Sequence, residues 1–401
     1  MKNVFHKKAV FAAGVAFVAS LLPAARAGTA DGGETTINEG VIPAPRFRAT
    51  VDVQEGYNDN VLTANSGKIR SGFNTGDLNI FADLGNERTV LTVGLGGGLT
   101  YYYNRPGDKA DKLANFTLNF VHKATERLTL TLSSYNTYQV QPQFDLLVQQ
   151  NRVNGQYYYT AESASAAYQW TERFSTVTSY SLVGIFYEEQ AAKLTDDYIS
   201  QVFGNQFRYL ATPTTTLVAE YRFGLINYLY EPQMNSYTNY FLAGFDHSFS
   251  PKFSTTVRVG GEIQNQRVGG TQVSPYTELT ANYHYQRFST LQGYLNYGFQ
   301  YSNLTISQTN RSLRIGITDT HGFTPKLSAY LGFFYEHDDY STSPTAIGYS
   351  DDTLNVNCGL RFALTPKLTL QAGYQHTSLL SDVAGQGYDQ NVFTLGGSYA
   401  F

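Results

Sequence analysis

From about residue 47 to its end, the chain alternates apolar and polar side chains through one segment after another. In 89–103, Leu91, Val93, Leu95, Leu99 and Tyr101 alternate with Thr92, Gly94, Gly96, Gly98 and Thr100. In 326–338, Leu327, Ala329, Leu331, Phe333 and Tyr335 oppose Ser328, Tyr330, Gly332 and Glu336. In 351–364, Leu354, Val356, Cys358, Leu360, Phe362 and Leu364 oppose Asn355, Asn357, Gly359 and Arg361. A period of two puts successive side chains on opposite faces of a strand, so each segment reads as a strand with one apolar face and one wet face. Two segments, 156–170 and 173–187, are ambiguous, with small or aromatic residues on both faces.

A recurring turn punctuates the strands. Ser250-Pro251-Lys252-Phe253, Thr324-Pro325-Lys326-Leu327 and Thr365-Pro366-Lys367-Leu368 share one form, with looser versions at Thr125, Thr171 and Thr212. Gly85-Asn86-Glu87 and Gln286-Arg287-Phe288 fall where the same spacing expects a turn. Pro presets the backbone of a tight turn, and a preceding Ser or Thr hydroxyl can bond it. The turns recur roughly every 35–47 residues, a period that holds two strands and one variable loop, hence consecutive hairpins. Counting between them predicts eighteen strands, from 47–57 to 389–401, with eight tight turns alternating with nine longer loops. The expected fold is all-β, a transmembrane antiparallel up-and-down β-barrel of about 16–18 strands. A soluble sandwich of this length would need a second buried face, and here the second face is Gly, Thr, Asn and Gln. No stretch after residue 27 is long and apolar enough for a membrane helix.

Composition sharpens the picture. The 401 residues include 32 Tyr, 26 Phe and 36 Gly but one Trp, and many Tyr and Phe sit near strand ends, as at Tyr101–Tyr103 and Tyr157–Tyr159. Aromatic belts at the two membrane interfaces produce such a distribution. At the start, Lys2, Lys7 and Lys8 precede an apolar run from Ala9 to Leu22, and Ala25-Arg26-Ala27 has the form of a cleavage site. This pattern predicts a signal peptide over 1–27 cut after Ala27, a short periplasmic tail over 28–45 and a barrel over 46–401. Cleavage removes four of the 28 basic residues and no acid, leaving 24 against 32, a balance of −8. An acidic chain argues against a nucleic-acid surface. Cys358, the single cysteine, reads as a small side chain on a strand face.

The chemistry of an enzyme is not concentrated anywhere. Six histidines survive cleavage, His122, His247, His284, His321, His337 and His376, without metal-ligand spacing. Three of them, His122, His247 and His321, lie just before tight turns on the outward face, where a headgroup boundary suits an amphipathic ring. No nucleophile elbow, zinc motif or phosphate loop occurs, and no cofactor is called for. Projecting the alternation inward directs Arg48, Asp52, Asp77, Arg208, Glu220, Arg222, Arg258, Glu262, Glu278, Arg314 and Arg361 to the lumen. Arg or Lys at the lipid midplane costs about 2–4 kcal/mol, so charges are expected inward or at the rims. Both signs occur, which predicts weak ion selectivity. Tyr102, Tyr240, Tyr294 and Tyr330 project the same way, suited to stack on sugars or to fill space. The third loop, 141–155, carries an apolar centre at Phe144, Leu146, Leu147 and Val148 with Asp145 and Arg152, and is a candidate constriction if it folds into the bore.

Two resemblances follow from these residues. Thr394, Gly396, Tyr399 and Phe401 in the closing "FTLGGSYAF" resemble the C-terminal signal strand of bacterial outer-membrane proteins. That likeness implies reading by the barrel assembly machinery and residence in the outer-membrane bilayer. Gly56-Tyr57-Asn58-Asp59-Asn60-Val61, followed by the hairpin array, resembles the putative β-barrel porin 2 group. A barrel of this size leaves an aqueous bore, so the expected function is a passive channel for small hydrophilic solutes; the group's association with exopolysaccharide systems implies, as the alternative, a role in polysaccharide export or surface assembly. An enzyme on lipid or surface polymer is the remaining alternative. The oligomeric state is left open.

Overall fold

The turns work as their sequences predict. The hydroxyls of Thr125, Thr171, Ser250, Thr324 and Thr365 each accept the backbone N–H groups two and three residues on, at 2.9–3.4 Å. The Asn86 carboxamide oxygen does the same for Arg88 and Thr89 at 2.9 Å. Each side chain satisfies donors that a tight reversal would otherwise leave open.

The computed structural model describes residues 46–140, 156–188, 197–268, 270–300, 310–340 and 348–401. The predicted signal peptide, the tail and loop 141–155, with Asp145 and Arg152, lie outside them. The described chain forms eighteen strands: β1 (Arg46–Asn58), β2 (Ser71–Asn86), β3 (Thr89–Tyr102), β4 (Ala110–Lys123), β5 (Leu128–Gln139), β6 (Tyr157–Gln169), β7 (Phe174–Tyr187), β8 (Tyr198–Thr212) and β9 (Thr215–Tyr228), then β10 (Ser236–Ser250), β11 (Phe253–Gln266), β12 (Gly270–Gln286), β13 (Ser289–Gln300), β14 (Asn310–Gly322), β15 (Leu327–Tyr340), β16 (Tyr349–Ala363), β17 (Leu368–Ser381) and β18 (Tyr388–Ala400). Each pairs antiparallel with its sequence neighbours, and β18 pairs with β1 to close the ring.

The seam runs from Thr50 opposite Ala400 to Asn58 opposite Val392, and the Phe401 N–H donates to the Ala49 carbonyl at 3.0 Å. The terminal residue is thus held. Leu395 and Phe401 are 66% and 69% exposed on the outer wall, while Ser398 is buried inside. Residues 56–61 fasten the other end of this seam. The Asn60 side chain is fully buried; it donates to the Ala64 and Asp389 carbonyls and accepts the Ala64 N–H, all at 2.9 Å. Asp59 accepts the backbone and side-chain N–H groups of Asn391, both at 2.7 Å. Gly56 faces the Phe73 ring, whose tip lies 2.2 Å from where a Cβ would stand. In this structure the motif is a clasp on the barrel seam.

Outside, the wall is apolar over most of its circumference, with Leu78, Ile80, Leu95, Leu99, Leu331 and Leu360 exposed. Inside, rows such as Asp52–Gln54, Thr75–Asn79, Glu262–Gln266 and Thr353–Asn355 are polar and buried. β5 to β9 depart from this arrangement. Tyr157, Tyr159, Ile185, Tyr187, Tyr198, Ile226 and Tyr228, with Met234, pack in one buried cluster on the inner side, so the inner face here is not the Gly, Thr, Asn and Gln surface expected. On β6, Glu162 shares a face with the outward Tyr158 and accepts from Ser134, Asn136 and Thr160. The rule that charges go inward or to the rims therefore fails at Glu162, where neighbouring hydroxyl and amide donors hold the carboxylate at mid-strand.

Candidate functional site

The inward charges of β8 to β12 join in one chain of alternating sign. Arg208 contacts Asp246 at 2.8 Å, and Asp246 reaches Arg258 at 2.8 Å through its other oxygen. Arg258 Nε lies 3.5 Å from Glu220 Oε2 as a charge contact without hydrogen-bond alignment. Glu220 Oε1 accepts from Arg222 Nε at 2.5 Å, and Arg222 Nη1 reaches Glu278 at 3.1 Å. The Tyr276 hydroxyl donates to the same Glu278 oxygen at 3.0 Å. Arg258 has no exposed surface, and it also donates to the Val257 and Phe245 carbonyls. The network runs across five successive strands because their inward rows lie side by side on the concave wall, within reach of long side chains.

Across the ring, nine strands from β11, β2 brings Asp77 directly opposite Asp52 of β1. These carboxylates are 5% and 3% exposed. Neither Asp77 oxygen has a hydrogen-bond partner, and Asp52 has only distant contacts, 3.5 Å from Thr50 and Asn79. Asp77 fits because Gly98 on β3 leaves room for it: a Cβ there would lie 1.9 Å from Asp77 Oδ1. Like charges directly opposite on a strand pair repel.

Glu262 marks an irregularity in the wall. Pairing of β12 with β13 stops at Thr277 opposite Tyr297, two residues from Pro275, which has no N–H for a ladder. The Phe299 N–H beyond that point donates to Glu262 Oε1 at 2.5 Å, and Arg311 reaches the Val273 carbonyl at 3.4 Å. These side chains take backbone groups the ladder leaves open. Glu262 Oε2 has no partner.

The other candidates stand apart. Arg314 pairs with Glu336 at 2.6 Å, where Ser312 also donates. Arg361 lies over the Tyr330 ring at 4.9 Å. Arg48 is half-exposed near the turn end and pairs with Asp83 at 2.9 Å. Among the eleven projected charges, the structure brings Arg208, Glu220, Arg222, Arg258 and Glu278 together and sets Asp52 against Asp77. Asp246 and Asp83 were missed, and Glu336, read on the polar face of its strand, was not carried into the projected set. Each lies on the inward row of its strand, Asp246 two residues past Gly244, so extending the alternation would have found them. His122, His247 and His321 contact Thr89, Thr215 and Tyr285 hydroxyls at 2.8–3.0 Å near the turn ends. Among the described residues no group of three or more His, Cys, Asp or Glu is placed to hold a metal ion.

A closed antiparallel ring of eighteen strands, apolar over most of its outside and charged within, defines a transmembrane β-barrel of the outer-membrane type. Residues 310–400 match the family model described as putative beta-barrel porin 2, the group that residues 56–61 resemble. Among solved structures, outer membrane protein OpdK from Pseudomonas aeruginosa is similar at 11% identity and TM-score 0.49, over 89% of this chain and 99% of that one. OccK9 (OpdG) from the same organism has 12% identity and TM-score 0.49 over 90% and 100%. OccK2 (OpdF), solved in complex with glucuronate, has 12% identity and TM-score 0.48 over 89% and 98%; glucuronate is that protein's ligand. No curated protein matches this chain. The exopolysaccharide alternative gains no support from these comparisons.

Proposed function

We propose that the protein is a porin-like channel for passive diffusion of small hydrophilic solutes, with a preference for cations. The observation that carries this reading is the inner wall. Eighteen strands enclose a bore wide enough for water, and the inward rows present charged and amide side chains. The charge balance sets the preference. Arg208, Arg222 and Arg258 are matched by Asp246, Glu220 and Glu278, and Arg314 by Glu336. No ion pair among the described residues reaches Asp52, Asp77 or Glu262. Of the projected charges these three carboxylates stand against Arg361, which lies over the Tyr330 ring; an excess of carboxylates on the inward rows favours cations, so the weak selectivity read from mixed signs becomes a directional one.

Planar-bilayer recording of refolded, heat-modifiable protein tests both parts. Stable conductance steps and a cation-selective reversal potential in a KCl gradient are expected. Folded protein that does not conduct would overturn the channel reading, and an anion-selective potential would overturn the charge argument.

A further inference from the structure

The outer face of β5 to β8 is built unlike the rest of the wall. Ser134 and Asn136 of β5, Thr160 and Glu162 of β6, Thr178 of β7 and Asn205 of β8 lie on its outward rows. Their alignment follows from the register: Ser134 is opposite Glu162, Asn136 opposite Thr160, and Thr178 opposite Asn205. Glu162 Oε1 accepts from Ser134 at 2.9 Å and from Asn136 and Thr160 at 3.0 Å each, and Thr178 donates to Asn205 at 3.1 Å. Glu162 is seven residues from the turn end of β6 and five from its other end. With about 3.4 Å per residue and a tilt near 40°, it stands about 18 Å above the turns, inside an apolar band about 25 Å tall.

Lipid tails cannot solvate such groups, and a carboxylate on the lipid face is destabilising. Nine strands away, the outer wall of β15 and β16 is conventional, with Leu331 and Leu360 53% and 51% exposed. The polar face is therefore a local feature of one sector.

We propose that this face packs against a second copy of the chain in the membrane. Three properties select that occupant. Ser, Thr and Asn each carry both a donor and an acceptor, so the same surface can satisfy itself. Glu162 already has three donors from its own chain, so it needs shielding from lipid and not a basic partner. Ala164 and Ala166 continue the outward row of β6, and small residues allow close approach of two walls in a bilayer, where interhelical or intersubunit contact relies on packing and hydrogen bonds. The inference rests on the barrel's lying in a bilayer, as the channel reading does.

The test uses the full chain in outer-membrane vesicles and in mild detergent. Cys358 lies on the outward row of β16, across the ring from β7, and supplies an internal control. A Cys358→Ser, Thr178→Cys variant is expected to give a cross-linked oligomer with a short bis-maleimide, and the wild-type chain, with only Cys358, at least tenfold less. Native mass spectrometry should show an oligomer that Thr178→Trp dissociates while heat-modifiability, the sign of a folded barrel, is kept. A monomer in both settings, or equal cross-linking from positions 178 and 358, would overturn the proposal. A monomer that still conducts would overturn the interface and leave the channel standing, whereas a cross-linked oligomer that does not conduct would support the interface and sink the channel.

Discussion

Replacing Arg258 by Met removes the centre of the inner network while keeping a side chain of similar length. Arg258 holds Asp246 at 2.8 Å and Glu220 at 3.5 Å, with no exposed surface of its own. Breaking a buried pair by deleting one partner costs about 3–5 kcal/mol when the other charge is stranded. Here neither is fully stranded, since Asp246 keeps Arg208 at 2.8 Å and Glu220 keeps Arg222 at 2.5 Å. The expected loss is therefore at or just below that range, about 2–3 kcal/mol. Urea titration of the barrel in detergent micelles, followed by heat-modifiability on gels, measures it. The double variant Arg258→Met, Glu220→Gln should recover part of the loss, because the carboxylate that lost one of its two arginines goes with it. A loss below about 0.5 kcal/mol, the range of exposed pairs, would show that water in the bore screens the network and would refute its description as buried.

Three further outcomes are expected. Asp77→Asn should stabilise the barrel by about 1 kcal/mol, by removing a like-charge pair between β1 and β2, and should shift the reversal potential away from cations; unchanged selectivity would place Asp77 off the ion path. Asn60→Ala removes three hydrogen bonds at a buried site, each worth about 1 kcal/mol, and should speed hydrogen exchange at the Ala64 amide and along the loop end of β18 while leaving the turn end of the seam unaffected. Asp382, just past β17, accepts the Ser350 hydroxyl at 2.6 Å and N–H at 3.0 Å, which hold its carboxyl below the ordinary range. A depressed acid contributes stability above its unfolded value and loses it as pH falls through the folded one, so Ser350 amide protection should drop below about pH 4; protection equally pH-dependent in Asp382→Asn would break the link.

Most of the wall was legible in the sequence because most strands separate two solvents, lipid and water, that sort side chains at a period of two. Where that holds, as in β3, β15 and β16, the predicted bounds fall within three residues of the observed ones, and the turn hydroxyls announce the reversals. Contacts within the lumen were less legible. The pairing of Arg222 with Glu278 joins β9 to β12 over two intervening strands, a distance set by wall curvature and side-chain reach, and alternation reports direction only. Direction alone could name both residues and could not say that they meet. The motif at residues 56–61 was legible as a signal but not as a clasp, because its partners Asp389 and Asn391 lie at the far end of the chain.

The two ambiguous strands, 156–170 and 173–187, are instructive in another way. Their inner rows carry Tyr157, Tyr159, Ile185 and Tyr187, packed in a buried cluster, and their outer rows carry Thr160, Glu162 and Thr178. A strand facing water inside and lipid outside has no use for either arrangement. If the inner row packs against other side chains and the outer row against a neighbouring barrel, neither face is sorted by solvent, and the period of two fades for a physical reason. The loss of alternation in β6 and β7 then marks the sector where this barrel touches protein on both sides. The cross-linking contrast between positions 178 and 358 bears on that account directly: equal reactivity would leave the faded pattern without its cause.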